Sequence, residues 1–347
     1  MTLDHDAVRS HVVQNMLAAG GGASHAQMMA WGVSRLDLSR LLRSGVICRS
    51  RREHFVLPWG GENSDHWQRT RSMHLRVAAA AAVRESPVGL RSAALMWRLP
   101  VWQIPRRVEL IRPPGSGPWK GLRVVRRLLS AGDVTAINGV PVTTLERTAV
   151  DIALDVPTPK ALITVDAALR RGASRETMAG ILTRMGSVRG CREARRTLDW
   201  ADGNSESPLE SRGRGELMLL GVVQPLSNVS VRLGDIEFRA DHWWMGLGVA
   251  GEADGEGKYG KRPGEEETLW AEKLRQEWFE EELGLYVVRY VDREIRLAPQ
   301  RVADRLQRKV DRRRRDPWEP PPGLEVFQRP HPGSDAPIRW LLRRDEG

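Results

Sequence analysis

Cysteine is scarce: Cys48 and Cys191 are the only two in 347 residues. They stand in no CxxC spacing, which excludes a disulfide framework and a cysteine-built zinc site. Long apolar runs are also missing. The richest, Val77-Ala-Ala-Ala-Ala-Ala-Val83, falls well short of the about 18 residues that mark a membrane-spanning helix. The opening Met-Thr-Leu-Asp-His-Asp lacks a basic region and an apolar core, so it does not read as a signal peptide, and a cytoplasmic protein is expected. Acidic residues are in deficit. Against 54 Lys and Arg there are 44 Asp and Glu, a net charge of +10 with a pI near 10.3, and Arg far outnumbers Lys. That balance points to nucleic acid, because a guanidinium forks onto phosphates and guanine edges. With 41% hydrophobic and 28% charged residues, the chain is long enough for two or three domains with real cores.

The first 60 residues predict a winged helix-turn-helix. A helix from Ala7 to Ala18 precedes the break at Gly20-Gly21-Gly22. Ser24 can cap a short helix ending at Trp31-Gly32, and Ser34 a second from Arg35 to Ser44, stopped by Gly45. The following Val46–Leu57 segment has strand-like ends and an Arg-rich middle, as a hairpin wing would. Arg35, Arg40 and Arg43 would then face a major groove, with Arg49, Arg51 and Arg52 on phosphates. A small helical bundle with a solvated basic edge is the alternative.

Residues 61–200 read as an α/β middle domain. Val77–Arg84 is helical in pattern, and Val108–Arg112 and Leu122–Arg126 are strand-like, with a turn at Pro113-Pro114-Gly115. Pro141-Val-Thr-Thr-Leu-Glu-Arg147-Thr-Ala-Val-Asp151 carries a capping box, Thr143 with Glu146, and an Arg147/Asp151 pair at i,i+4. This motif and the preceding Leu-Leu-Arg-Ser-Gly-Val-Ile of the helix-turn-helix resemble the abortive-infection E antitoxin family (AbiEi) over about residues 10–185. The resemblance implies a DNA-binding regulator of a toxin–antitoxin pair, with a cognate toxin as partner. The Arg51-Arg52-Glu53-His54 turn departs from the small, Gly-containing wing turn expected there.

After the polar joint Asp202–Pro208, Ser207, Pro208 and Glu210 supply an N-cap, N1 proline and N3 acid, so a helix starts there, with Glu210 and Arg214 at i,i+4. Arg239 to Tyr259 reads as two strands joined by a Gly246-Leu247 turn. Phe238, Ala240 and Trp244 should share one side of the first strand, and Val249 and Ala253 one side of the second. Cross-strand partners then sum to 493, which sets Asp241 opposite Glu252 with Asp254 on the same face. A slip of two residues pairs Asp241 with Asp254 instead, and an odd slip separates the acids. Three carboxylates on one face call for a positive charge between them, and Mg²⁺ (or Mn²⁺) on Asp241 and Glu252 would supply it. An acidic pair on a solvated hairpin face is the alternative. A long helix over Glu265–Leu283 and a strand over Leu285–Val291 complete the order.

That order resembles the very-short-patch-repair-like branch of the PD-(D/E)XK nucleases over about residues 205–292. The resemblance implies Glu210, Asp241, Glu252 and Asp254 as catalytic positions, with Lys258 supplying the ammonium and Lys273 or Arg275 touching phosphate. Asp254 stands where that pattern has lysine.

The expectation is therefore a mixed α/β (α+β) chain: a winged helix-turn-helix at 1–60, a middle domain at 61–200, a restriction-endonuclease-like domain at 205–298, a basic helix at 299–316 and a Pro-rich mobile tail at 317–347. Two functions compete. One is a Mg²⁺-dependent endonuclease or nickase in phage defence or repair, with a homodimer expected because one metal site cuts one strand. The other is an AbiEi-type antitoxin and repressor whose nuclease-like domain is inert. An RNA-directed nuclease is the third reading.

Overall fold

The computed structural model describes residues 5–19, 21–51, 53–57, 70, 72, 74–75, 78, 86–117, 122–244, 246–255, 278–331 and 338–343. The chain forms two compact units, Met1–Ile152 with Gly180–Val188, and Ala153–Ala179 with Arg189–Gly347. Both mix helices and strands.

The first unit begins with α1 (His5–Ala18), β1 (Gly22–Ser24), α2 (His25–Ala30), α3 (Arg35–Arg43), β2 (Cys48–Arg51) and β3 (His54–Val56). Local chemistry fixes the helix starts. Ser24 and Gln27 form a full capping box, and the Ser34 hydroxyl accepts the Asp37 amide at 3.1 Å. Strand β3 lies between β1 and β2 and is antiparallel to both, so the expected break at Gly20–Gly22 ends in a short strand that closes a small sheet. Met16, Met28, Leu41, Ile47 and Phe55 are almost wholly buried in its core, each contributing on the order of 1.5–3 kcal/mol by leaving water. The β2–β3 turn places Glu53 at φ +59°, a left-handed conformation that glycine adopts more readily.

The same unit continues with α4 (Leu90–Met96), the parallel pair β4 (Glu109–Arg112) and β5 (Arg123–Arg126), the hairpin β6 (Val134–Ile137) and β7 (Val140–Thr143), and α5 (Leu145–Asp155). Asn138 and Gly139 sit at φ +49° and +75° in the β6–β7 turn, as a primed two-residue turn requires. The cap of α5 differs from the expectation: Thr144 accepts the Arg147 amide at 3.3 Å, while Thr143 is buried and bonds the Thr148 hydroxyl at 2.7 Å. The expected Val77–Arg84 helix lies almost entirely outside the described residues, Ala78 excepted.

The next helices are α6 (Thr158–Arg170), α7 (Arg175–Met185), α8 (Cys191–Trp200) and α9 (Pro208–Leu219). In the second unit, β8 (Leu226–Leu233), β9 (Ile236–Trp244) and β10 (Val249–Asp254) form an antiparallel meander, and β11 (Tyr286–Val291) joins β10 in parallel. Helices α10 (Asp292–Leu297) and α11 (Pro299–Arg315) follow, then β12 (Glu325–Gln328) and β13 (Arg339–Arg343). The sheet order is β11-β10-β9-β8-β12-β13. The stretch expected as a mobile tail thus supplies two strands, with Leu324, Val326 and Phe327 buried. One face of the sheet carries Val231, Trp243, Phe279 and Leu283; the other packs Trp244, Val288 and Tyr290 against Leu217 of α9 and Val302 and Leu306 of α11.

Candidate nucleic-acid interface and acidic cluster

Helix α3 buries Leu38 and Leu41 and leaves Arg35, Arg40 and Arg43 exposed. At 100° per residue these three arginines, with Leu36 and Ser39, cover one continuous face away from the core. Arg40 lies 3.8 Å from Asp37 with half of its side chain in solvent, a contact worth at most about 1 kcal/mol, so the guanidinium can exchange partners. Arg49 on β2 is exposed and rests on the Phe55 ring at 5.7 Å. Arg51 belongs to β2, and Arg52 lies outside the described residues.

The ladder between β9 and β10 pairs Val249 with Trp244, Ala250 with Trp243 and Gly251 with His242. That is the register in which partners sum to 493. The loop is longer than the expected two residues: Gly246 and Gly248, at φ +73° and +57°, both fall between the last pairs. The ladder stops one step short of Asp241 and Glu252. On the other side of β9, pairing to β8 runs through His242–Ser227 and Ala240–Val229 but omits Asp241 and Asn228, and Asn228 has φ +50°. The ladder is interrupted there without a change of register. Phe238 and Ala240 pack in the Trp243 core, whereas Trp244 packs in the other, so the expected shared side breaks at Asp241.

The Asp241 carboxylate meets the β10 backbone, where it accepts the Ala253 amide at 2.8 Å. Glu210, near the start of α9, accepts the Glu206 amide at 2.8 Å and the Asn228 side-chain amide at 2.7 Å. Burial, then the Asp241 charge, pushes the Glu210 carboxyl above the usual range. Tyr290 on β11 feels the same acids: burial raises its phenol, and Asp241, Glu210 and Glu252 add to the rise. Its hydroxyl lies 2.6 Å from His242 Nε2, with the two rings stacked 9° from parallel. Burial and the Arg214 charge lower His242 to about 3, so the imidazole is neutral at physiological pH. His242 and Tyr290 were missed in the sequence, although His242 directly follows Asp241.

These acids influence one another electrostatically. Among the described residues no group of three or more His, Cys, Asp or Glu is arranged to hold a metal ion. A positive charge is already at hand: β11 sets Arg289 beside Glu252, and its guanidinium lies 3.5 Å from Asp254. Asp254, in the position where the nuclease pattern has lysine, is therefore an arginine partner. Glu210 and Arg214 do not pair as their spacing suggested. Arg214 reaches Asp166 on α6 at 2.6 Å, with both side chains wholly buried. Lys258, Lys273 and Arg275 lie outside the described residues, as does the expected Glu265–Leu283 helix up to residue 277.

Helix α11 is basic on the outside and apolar within. Arg301, Arg308, Arg312, Arg314 and Arg315 are exposed, whereas Arg305 pairs with Glu294 at 2.7 Å and Arg313 lies over the Tyr286 ring at 4.1 Å. Part of this basic run is thus committed to the fold. No helix among the described residues is long and apolar enough to cross a membrane.

Comparison with known proteins adds the following. The AbiEi antitoxin C-terminal domain family matches residues 69–199. Two relatives from Mycobacterium tuberculosis, the uncharacterized proteins MT2308 (strain CDC 1551 / Oshkosh) and Rv2248 (strain ATCC 25618 / H37Rv), are each 32% identical over 204 residues, 57% of this chain and 71% of the relative. The crystal structure of the RV2827C protein from Mycobacterium tuberculosis is 18% identical, covering 64% of this chain and 83% of that one at a TM-score of 0.34. Nothing among these matches supports a nuclease domain at residues 205–298.

Proposed function

We propose that this chain, which belongs to the same family as MT2308 and Rv2248 and carries an AbiEi antitoxin C-terminal domain, is an AbiEi-type antitoxin acting as a DNA-binding regulator. The observation that carries this reading is the family match over residues 69–199, which follows a helix pair whose second member exposes three arginines and a β-hairpin. A cognate toxin is the implied protein partner.

The physical reading follows from α3 and the β2–β3 hairpin. As a winged helix-turn-helix, α3 enters the major groove, and Arg35, Arg40 and Arg43 reach base edges and phosphates, each good bidentate base contact contributing about 1–3 kcal/mol of discrimination. Arg49, with Arg51 and Arg52 in the wing, meets the backbone and contributes affinity without sequence preference. A homodimer suits this function, since paired helix-turn-helices read half-sites about one helical turn apart. The Glu210–Asp241–Glu252 cluster is then a structural anchor joining α9, β9 and β10 rather than a hydrolytic centre.

Fluorescence anisotropy on the DNA upstream of the chain's own gene, run over a KCl series, tests the reading. Arg49→Ala is expected to lower the slope of log K against log salt by about 0.9, one phosphate contact. Arg40→Ala and Arg43→Ala are expected to cost roughly tenfold each on the specific site and less on random DNA. Wild-type affinity and slope in all three variants would overturn the interface.

A further inference from the structure

Arg147 of the motif that singled out the middle domain lines a cavity. About 600 Å³ in volume, it lies wholly within the first unit, and its apolar lining residues are Pro114, Leu128, Ile181, Met185 and Val188. Arg126, Arg127, Arg147 and Arg184 supply its cations, with Ser130 and Asp133. The volume falls within the about 300–1,000 Å³ usual for small-molecule sites.

Arg147 holds the polar wall in place and is 1% exposed. Its Nε donates to Asp151 at 2.9 Å, and its Nη1 to Asp133 at 2.9 Å and to the Leu128 carbonyl at 3.0 Å. The remaining nitrogen, Nη2, is buried and has no hydrogen-bond partner. A guanidinium keeps its charge at any physiological pH, so a buried N–H of this kind stays an unmet donor until an acceptor arrives. The neighbouring cations draw on the same two carboxylates or on a carbonyl. Arg127 binds Asp151 at 2.6 Å, Arg184 reaches Asp133 at 3.4 Å with 56% of its side chain exposed, and Arg126 donates to the Ser116 carbonyl. Three guanidiniums share two carboxylates and Arg126 adds a fourth positive charge, so the polar lining is net cationic beside the apolar residues.

We propose that this cavity binds a small organic anion, an oxyanion carried on an apolar body. The oxyanion would accept from Arg147 and Arg184, and the body would lie against Ile181, Met185 and Val188. The proposal goes beyond the regulator reading and stands without it, since it rests only on the cavity's own walls.

Isothermal titration calorimetry of the full chain with four probes tests it: phenyl phosphate, benzoate, neutral benzyl alcohol and inorganic phosphate. One of the two aromatic anions is expected to bind saturably with one-to-one stoichiometry at millimolar concentrations or below, and which one binds tighter identifies the site as taking a phosphate monoester or a carboxylate. Arg184→Ala, at the open side of the cavity, is expected to weaken that anion by about tenfold or more through loss of one charge-assisted contact. Val188→Trp, which fills the apolar end, is expected to abolish binding, with circular dichroism showing that both variants stay folded. A cavity that holds only water predicts the opposite. No saturable binding of either anion, binding unchanged in both variants, or binding of benzyl alcohol or inorganic phosphate as tight as that of the aromatic anions would each overturn the proposal.

Discussion

Replacing Arg147 by methionine keeps most of the side chain's length and removes the charge that joins three parts of the middle domain. Arg147 and Asp151 expose 1% and 0% of their side chains and Asp133 4%, so water cannot replace the lost guanidinium. Asp151 keeps Arg127 at 2.6 Å, and Asp133 keeps the Ser130 amide at 2.8 Å. Each carboxylate is therefore left partly compensated, and the cost falls in the about 3–5 kcal/mol range of one broken buried pair rather than at twice that. For a unit of roughly 150–250 residues each kcal/mol moves the melting point by about 2–4 °C, so a drop on the order of 6–20 °C is expected by differential scanning calorimetry. Adding Asp133→Leu removes one stranded charge and should recover about 1–2 kcal/mol. A single variant that loses less than about 1 kcal/mol, the worth of an exposed pair, would refute the reasoning. A double variant no better than the single would show that stranded charge is not the cause.

Three further outcomes are expected. A Cβ added at Gly213 would lie 2.5 Å from the Tyr290 hydroxyl, so Gly213→Ala should lose about 1–3 kcal/mol in urea denaturation despite alanine's higher helix propensity; a more stable variant would show that α9 has room to move. The folded His242 takes up its proton only near pH 3 and the unfolded one near 6.5, so its contribution is present above about 6.5 and is lost as pH falls through that window. Between about pH 7 and pH 5, wild type should therefore lose about 2 kcal/mol more than His242→Gln, and equal losses would refute the assignment. Supercoiled plasmid incubated with the chain and Mg²⁺ should remain supercoiled; nicking that vanishes in both Asp241→Ala and Glu252→Ala would reinstate hydrolysis and displace the structural role given to these acids.

What could be read from the sequence was local. Ser24, Ser34 and Ser207 announced their helices because a cap needs only three residues of context. The β9–β10 register is the one that a supposed Gly246-Leu247 turn sets, although the gap in pairing at Asp241 was not legible, because it also involves Asn228 of a third element. Arg214 looked like a partner for Glu210 four residues away, but its carboxylate, Asp166, is 48 residues distant in the chain. Arg289 was likewise invisible: only the parallel pairing of β11 brings a guanidinium to acids that otherwise called for a metal. The Asn138-Gly139 hairpin carried a strong short-range signal that was passed over. Glu325–Gln328 was hidden by brevity, four residues among prolines.

Strand β12 lies between β8 and β13, yet its register partner Arg232 precedes Glu325 by 93 residues. During synthesis, Val229 and Val231 would wait beside an open hydrogen-bonding edge until the 93 residues separating Arg232 from Glu325 had emerged. Premature termination or proteolytic trimming ahead of Leu324 would leave that edge without its native neighbour, and such fragments should self-associate rather than persist as shortened monomers.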